Sequence, residues 1–198
     1  MTSGISNIQQ SPYNPSLTNT PSTYTFDRHR DSTISTMLKE GLRKVVPDSR
    51  KEKDPCCALC GETENLENDH IHELQVFSER LSKWRHTLTM TWNEALELQA
   101  ELGKIINNDC NIQTLCSTCN KSKGQFWRRK LEGTVIRNCV YEPNDDQLIR
   151  MNIAYDGMQK QVENIRNDGI RQKLYQIMWE TYKISNKLLN DSLQFYHR

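Results

Sequence analysis

Two stretches of this chain decide the fold that we expect: Cys57-Ala-Leu-Cys60 and Asn111-Ile-Gln-Thr-Leu-Cys116-Ser-Thr-Cys119-Asn120. Each contains two cysteines separated by two residues, which is the spacing at which zinc-binding proteins present a pair of thiolates. Four thiolates complete a tetrahedral shell around zinc and leave no open position, so such a site is structural rather than catalytic. We therefore expect a structural Zn²⁺ held by Cys57, Cys60, Cys116 and Cys119.

The remaining cysteines do not change this interpretation. The chain has seven cysteines, and an odd number with two paired spacings favours zinc in a reducing cytoplasm over a disulfide framework. Cys56 could replace Cys57 as a ligand, but only Cys57 has the two-residue gap to Cys60. We interpret Cys56, Cys110 and Cys139 as ordinary thiols.

Polar residues suited to phosphodiester hydrolysis lie between and beside the cysteine pairs. Asp69 and His70 are adjacent, and Asn111 and Asn120 flank the second pair. Histidine accepts a proton near neutral pH, and carboxylate and amide oxygens are ligands that suit Mg²⁺. These residues therefore include a candidate general base and candidate ligands for a catalytic metal ion.

This constellation resembles the HNH endonuclease family, also called the ββα-metal or His-Me finger nucleases, over residues 57–124. The blocks that match are, in order, Cys57-x-x-Cys60-Gly61, Asp69-His70-Ile71 and Asn111-x-Gln113-x-Leu115-Cys116-x-x-Cys119-Asn120-x-x-Lys123. The resemblance implies an α+β protein, in which a small ββα-metal core with the four-cysteine zinc site is surrounded by mostly helical insertions and extensions.

The resemblance also implies a role for each polar residue of the site. His70 would be the general base that deprotonates the attacking water, and Asp69 and Asn120 would bind a catalytic Mg²⁺ or other divalent ion. Asn111 would hold the catalytic loop and orient the His70 ring. Outside this motif we would interpret Asn111 as a turn-forming residue before a strand.

Three features depart from the family pattern. Glu73 stands where the family often has proline, and the segment between His70 and Asn111 is longer than usual and lacks the common glycine pair. His72 offers a second imidazole beside the expected base. We prefer His70 because it directly follows Asp69.

Composition divides the chain into four segments. Residues 1–26 contain no charged side chain and predict a flexible tail, and residues 27–54 predict a helix over Ser35–Val46 followed by a charged linker. The nuclease core would span 55–140, with a helical insertion at 73–108. Residues 141–198 would form a helical extension.

Two strands and a helix are predicted for the core. The strands cover Leu66–His72 and Asn111–Leu115, and the helix covers Cys116–Lys130. This order would bring His70, Asn111 and Asn120 near one another.

The insertion predicts a pair of helices. Apolar residues recur at helical spacing at Leu81, Trp84 and Leu88, and Thr91-Trp-Asn-Glu94 is a capping-box pattern that begins a helix. The apolar face of the second helix would consist of Ala95, Leu98, Leu102 and Ile105.

The segment from Asp145 to Arg198 is also predicted to be helical, with a break near Asn167-Asp168-Gly169. A heptad-like seam follows the break, at Ile170, Leu174, Ile177, Thr181, Ile184 and Leu188. We favour packing of this seam within its own chain. A homodimer through the C-terminal helices is the alternative.

The net charge of +1 neither favours nor excludes a nucleic-acid partner, so the distribution of charge matters more. Trp127 could wedge at a base step, but we favour a place in the core. No stretch predicts a membrane span or a secretory signal, and we expect a cytoplasmic protein of a prokaryote or phage. Basic residues concentrate directly after Asn120 and would contact DNA phosphates: Lys121, Lys123, Arg128, Arg129 and Lys130.

Together these features predict a metal-dependent endonuclease that hydrolyses double-stranded DNA to 5′-phosphate and 3′-hydroxyl ends. Within this class we favour a type II restriction endonuclease, whose helical extensions would serve recognition and dimerisation. The alternatives are a phage or mobile-element nicking enzyme, an effector of an antiphage system, and a ribonuclease. From another class, the alternative is a non-catalytic zinc-stapled nucleic-acid-binding module, which would not need Asp69, His70 and Asn120 together.

Overall fold

The computed structural model describes residues 28–43, 54–84, 86, 89–134 and 141–196. The protein is α+β and mostly helical, and this part of the chain contains one two-stranded sheet. The predicted tail, most of the predicted linker, Leu88 and Cys139 lie outside the described residues. In chain order the elements are α1 (Arg28–Gly41), β1 (Leu66–His70), α2 (Leu74–Lys83), α3 (Trp92–Ile106), β2 (Ile112–Cys116), α4 (Ser117–Leu131), α5 (Asp145–Glu163) and α6 (Asp168–Tyr196).

The two strands form an antiparallel pair in which Leu66 lies opposite Cys116 and His70 lies opposite Ile112. Both strands lie close to their predicted positions, and α4 begins directly after β2, as predicted. Strand β1 ends two residues earlier than expected. The Ile71 N–H still bonds to the carbonyl oxygen of Asn111, which lies opposite it, and the His72 N–H bonds to the Asn111 side-chain oxygen.

The insertion between the strands forms two helices, as predicted. Helix α3 begins with a complete capping box: the Thr91 side chain accepts a hydrogen bond from the Glu94 backbone, and the Glu94 side chain accepts one from the Thr91 backbone. The predicted apolar face of α3 is buried. Helix α2 ends at Lys83, so Trp84 lies just beyond it and is buried there.

Helix α1 differs from its prediction, because it begins at Arg28 and ends at Gly41 rather than covering Ser35–Val46. Glycine is a weak helix former, and here it also permits a close approach to α3. A Cβ added at Gly41 would lie 2.5 Å from Gln99 Cγ, and one added at Gly103 would lie 2.9 Å from the Gly41 carbonyl oxygen. The backbones of α1 and α3 are therefore in direct contact.

In the described ranges, buried apolar residues form one large and two smaller clusters. The smallest surrounds the cysteines and contains Cys57, Leu115 and Cys116. The second includes Phe126 and Trp127 of α4, so Trp127 lies in the core, as we favoured. The inserted helices are central to the fold, because the largest cluster joins α1, α2, α3, α5 and α6 through side chains such as Leu38, Phe77, Leu102, Met158 and Ile177.

The C-terminal segment contains two helices with a break before Asp168, as predicted. The first part of the heptad-like seam on α6 is buried in the large cluster, and its last two residues pack against the second cluster. This confirms that the seam packs within its own chain. No helix in the described part of the chain is long and apolar enough to span a membrane.

Candidate metal centre and catalytic site

The four paired cysteines come together at one end of the sheet. Their Sγ atoms all lie within 4.8 Å of one another, and those of Cys60 and Cys116 are 3.7 Å apart. A tetrahedral site with Zn–S bonds of about 2.3 Å has sulfur–sulfur edges of about 3.8 Å. The cluster can therefore hold a metal ion and fits structural zinc. Cys56 is exposed and does not belong to it.

Backbone geometry explains how the first cysteine pair forms a knuckle. The Gly61 N–H donates to the Cys57 carbonyl oxygen (2.9 Å), and Gly61 has a φ of 77°, which glycine adopts without strain. The knuckle is attached to β2 because the Ala58 N–H donates to the Thr114 carbonyl oxygen (2.9 Å). This attachment brings the first pair next to the second, which lies at the junction of β2 and α4.

The thiols of the cluster differ in acidity. Burial raises the pKa of Cys57, but hydrogen bonds from backbone groups, Cys116 first, outweigh burial and lower it to about 7. Burial and hydrogen bonds with the other three thiols raise the pKa of Cys119. One thiol therefore ionises readily near neutral pH. A bound metal ion would remove the other protons, because the thiolate is the form that binds metal.

A buried ion cluster surrounds Asp69. Its Oδ2 accepts hydrogen bonds from Lys123 Nζ (2.8 Å) and Gln113 Nε2 (2.9 Å). The Lys123 ammonium also contacts the Glu73 carboxylate and donates to the His70 carbonyl oxygen (2.7 Å). The prediction that Lys123 contacts DNA is wrong, because its side chain is only 2% exposed and two carboxylates far along the sequence hold it inside.

Two carboxylates share one cation in this cluster. Burial lowers the pKa of Lys123, but Asp69 and Glu73 outweigh burial and hold that pKa above its usual range, so the ammonium is charged at neutral pH. Burial raises the pKa of Glu73, and Lys123 opposes this only in part. The Lys123 ammonium therefore compensates the negative charge of the buried carboxylates, and its contact with Asp69 holds that side chain in place.

Asp69 and Asn120 lie on the side of the sheet that α4 covers. Asn120 Nδ2 donates to Glu67 Oε2 (2.7 Å), and Glu67 shares a face of β1 with Asp69 because it lies two residues earlier. No hydrogen bond joins Asp69 to Asn120 among the described residues. In this part of the structure, Asp69 accepts its side-chain hydrogen bonds through Oδ2, and Asn120 donates its side-chain hydrogen bond through Nδ2. The Oδ1 atom of each remains as an oxygen donor, and this donor set suits Mg²⁺.

His70 leaves β1 on the side opposite Asp69 and points toward the end of α3. Its Nε2 lies 2.8 Å from Oδ1 of Asn107, the C-cap residue of α3. Asn107 Nδ2 donates to the carbonyl oxygens of Gly103 (2.7 Å) and Leu42 (3.3 Å). Burial lowers the pKa of the His70 ring, which is 7% exposed, and the contacts with Asn107 and Asp69 oppose this only in part. The ring is therefore neutral at pH 7.

Asn111 holds the loop after β1, and among the described residues it makes no hydrogen bond to the His70 ring. Its Oδ1 accepts a hydrogen bond from the His72 N–H (2.9 Å), and its Nδ2 donates to the Ile106 carbonyl oxygen (2.9 Å). Both ends of its amide bond to backbone groups, so among the described residues no hydrogen bond from Asn111 orients the ring, and that role stays a prediction. Asn107 occupies the position beside the ring instead.

His72 is a core histidine. Its Nε2 lies 2.8 Å from the Met151 carbonyl oxygen, to which it must donate, and its ring lies near the rings of Tyr155 and Tyr182. The residue is 1% exposed, and burial lowers the pKa of the ring to about 4. Of the two imidazoles, His70 is the one that lies on β1 beside the proposed metal ligand.

The basic cluster on α4 remains accessible apart from its buried lysine. Lys121 and Arg128 are exposed, and Arg129 and Lys130 are partly exposed. Four of the five predicted phosphate contacts therefore lie at accessible positions of one helix, which begins at the cysteine cluster.

Comparison of the chain with protein-family models, curated proteins and solved structures finds no match. The resemblance to HNH nucleases therefore depends on the sequence blocks and on what the site can do chemically.

Sequence reasoning missed two residues of the site. The alternation of side chains along β1 could have identified Glu67, because it shares a face with Asp69. Asn107 carries a weaker signal, since asparagine is common where a helix ends. Which side chain its amide contacts depends on how α1 and α3 pack, and no spacing in the sequence indicates that.

Proposed function

We propose that this chain is a metal-dependent endonuclease of the HNH type, which hydrolyses phosphodiester bonds of double-stranded DNA. The observation that carries the proposal is that Asp69 and His70, consecutive residues of β1, have different hydrogen-bonding partners and different charge states. Asp69 is a charge-compensated oxygen donor beside α4, and His70 is a neutral imidazole held by Asn107. Metal-assisted hydrolysis requires both an oxygen ligand and a proton acceptor, and adjacent residues of β1 supply one of each, although their side chains leave the strand on opposite sides.

Asp69 and Asn120 would hold Mg²⁺ or a similar ion, which when bound stabilises negative charge on the leaving 3′ oxygen. Glu67 supports this assignment, because it accepts the Asn120 N–H and so directs the amide oxygen away from itself. Lys123 supports it too, because it binds one oxygen of Asp69 and leaves the other available.

His70 would accept the proton of the attacking water at Nδ1. The water oxygen then bonds to phosphorus while the bond from phosphorus to the 3′ oxygen breaks. The 3′ oxygen takes up a proton from solvent, which leaves the phosphate on the 5′ end and a hydroxyl on the 3′ end. Lys121, Arg128, Arg129 and Lys130 would neutralise backbone phosphates near the cut.

Within this class we favour a type II restriction endonuclease. Double-strand cutting of a palindrome needs two sites related by a twofold axis. Because the α6 seam is occupied by the chain's own helices, a dimer through the C-terminal helices would use their exposed apolar side chains, Ile149, Ile153 and Trp179.

The test compares wild type, His70→Ala and His86→Ala on supercoiled plasmid and on unmethylated phage DNA, with Mg²⁺ and with EDTA. His86 is the matched control because it is an exposed histidine outside the site. We expect discrete fragments from wild type and from His86→Ala, which EDTA abolishes, and none from His70→Ala. Equal cutting by His70→Ala would overturn the assignment of the base. Nicked circles without linear product would favour a nicking enzyme.

A non-catalytic zinc-stapled nucleic-acid-binding module is the second candidate. It is favoured by the low exposure of His70 (7%) and Asp69 (8%), and by the salt bridge that already occupies one oxygen of Asp69. This function would be supported instead if wild type binds DNA but does not cut it with any divalent ion, and if His70→Ala binds DNA equally well.

A further inference from the structure

The hydrogen bonds of Asn107 fix which way its amide points. Its Nδ2 lies 2.7 Å from the Gly103 carbonyl oxygen and 3.3 Å from the Leu42 carbonyl oxygen. Both partners can only accept hydrogen bonds, so the NH₂ group must face them. The reversed amide would bring its oxygen against two carbonyl oxygens. The Asn107 oxygen is therefore the atom that faces His70.

This orientation decides the tautomer of His70. An amide oxygen has no proton to donate, so the Nε2 atom 2.8 Å away must carry the hydrogen. In a neutral imidazole only one ring nitrogen carries a proton, and the lone pair is then on Nδ1. The contact also fixes the plane of the ring, because an N–H donor must point at its acceptor.

Part of the support of Asn107 comes from outside the segment that resembles HNH nucleases. Leu42 follows α1, and α1 contacts α3 directly through Gly41 and Gly103. Asn107 is itself buried. The Asn107 amide is therefore held by backbone carbonyl groups of two packed segments, α3 and the residue that follows α1.

We propose that Asn107 is a positioning residue, which holds His70 as the Nε2–H tautomer with Nδ1 as the proton-accepting atom. Its catalytic consequence depends on the proposed nuclease function, whereas the tautomer itself does not. A general base contributes about 10²–10⁴-fold when its lone pair meets the reacting proton. With the wrong tautomer, the imidazole presents an N–H where a lone pair is needed.

Three variants separate positioning from stability. Asn107→Leu has a similar size and no hydrogen-bonding group, so His70 should become a mixture of tautomers. Asn107→Asp can only accept hydrogen bonds, so it should retain the Nε2–H tautomer although it loses the donors to Gly103 and Leu42 and lowers Tm. Asn164→Leu is the matched control, because Asn164 also caps a helix and donates to the carbonyl four residues earlier, at Lys160.

The measurement is two-bond ¹H–¹⁵N NMR of ¹⁵N-histidine-labelled protein at pH 8, with the His70 signals assigned from their absence in His70→Gln. We expect one Nε2–H tautomer in wild type, in Asn107→Asp and in Asn164→Leu, and mixed signals in Asn107→Leu. A lone pair on Nε2 in wild type, or an unchanged tautomer in Asn107→Leu, would overturn the proposal. Signals that track Tm across the variants would mean that Asn107 is only structural.

The catalytic part is measured by DNA cleavage. We expect Asn107→Leu to lower kcat several-fold at unchanged KM, because only part of the population then keeps the lone pair on Nδ1, and Asn164→Leu to match wild type. Equal kcat in Asn107→Leu would overturn the catalytic role even if the tautomer changes. Absence of Mg²⁺-dependent cutting by wild type would refute the nuclease function, and the NMR result would still decide the tautomer.

Discussion

The region around the cysteines and the helical core are stabilised by different means. In the described part of the chain, three buried residues form the apolar cluster beside the cysteines, whereas twenty form the large helical cluster. The sheet region is instead held by four sulfurs, by the Asp69–Lys123–Glu73 ion cluster and by amides such as Asn111. Polar groups at the candidate site cannot be packed away as an apolar core can, so hydrogen bonds position them, as would a metal ion bound by the cysteines.

Removing the metal should distinguish the two regions most strongly. Structural zinc contributes on the order of 10 kcal/mol to the folding of small zinc domains. We expect Cys116→Ser to lose zinc and to lose amide protection over residues 57–70 and 112–120, while α3 and α6 stay protected. Zinc content and hydrogen-exchange mass spectrometry measure this. Cys56→Ser is the control, because this exposed neighbour lies outside the cluster.

Removing the buried cation should have the next largest effect. Lys123→Met leaves Asp69 and Glu73 without a counter-charge in the interior, which costs about 3–5 kcal/mol. The loss should increase as pH rises, because burial raises the pKa of Glu73 and more of its carboxylate is then ionised. Urea unfolding at several pH values measures it. Lys121→Met changes an exposed lysine of the same helix, and a comparable loss there would contradict the ion-cluster explanation.

A cavity in the helical core should lower stability without disturbing the metal. Leu102 is fully buried in the large cluster, and Leu102→Ala should cost about 2–5 kcal/mol. Zinc content at neutral pH should not change. Leu96→Ala removes an exposed leucine of the same helix and should change the free energy of unfolding by less than about 0.5 kcal/mol. Zinc loss in Leu102→Ala would mean that the two regions are not separately stabilised.

The boundary between the two regions should be sensitive to acid. The folded pKa of His72, about 4, is below its ordinary value of 6.5, so the unfolded chain binds more protons between these values. Stability should therefore fall as pH drops through this window, by roughly 3 kcal/mol in all. Urea unfolding of wild type and His72→Gln from pH 7 to pH 4 measures the difference. A loss of equal size in His72→Gln would assign the effect to other groups.

Local sequence patterns predicted much of the fold. The spacing of Cys57 and Cys60 indicated the cluster because ligand spacing is a local property, and the Thr91–Glu94 capping box located the start of α3. Strand β2 and α4 followed from the residues around the second cysteine pair.

Contacts between distant segments were not predictable in the same way. Lys123 stands in a basic stretch and suggests an exposed side chain, but its partners are 50 and 54 residues away. Asn107 depends on the crossing of α1 and α3, which two glycines permit. The loop-holding role of Asn111 came from the resemblance, whereas the partner of the His70 ring came only from three-dimensional packing.

Cys116 is the last residue of β2, the N-cap of α4 and one of the four clustered sulfurs. Its Sγ accepts the Cys119 N–H that would otherwise lack a partner at the start of the helix. Asn120 lies one turn further along α4 and inherits its position from that starting point. Metal binding and the alignment of α4 on β1 would therefore be coupled: without a bound ion the cluster would no longer set where α4 starts, and with it the position of the candidate catalytic ligand.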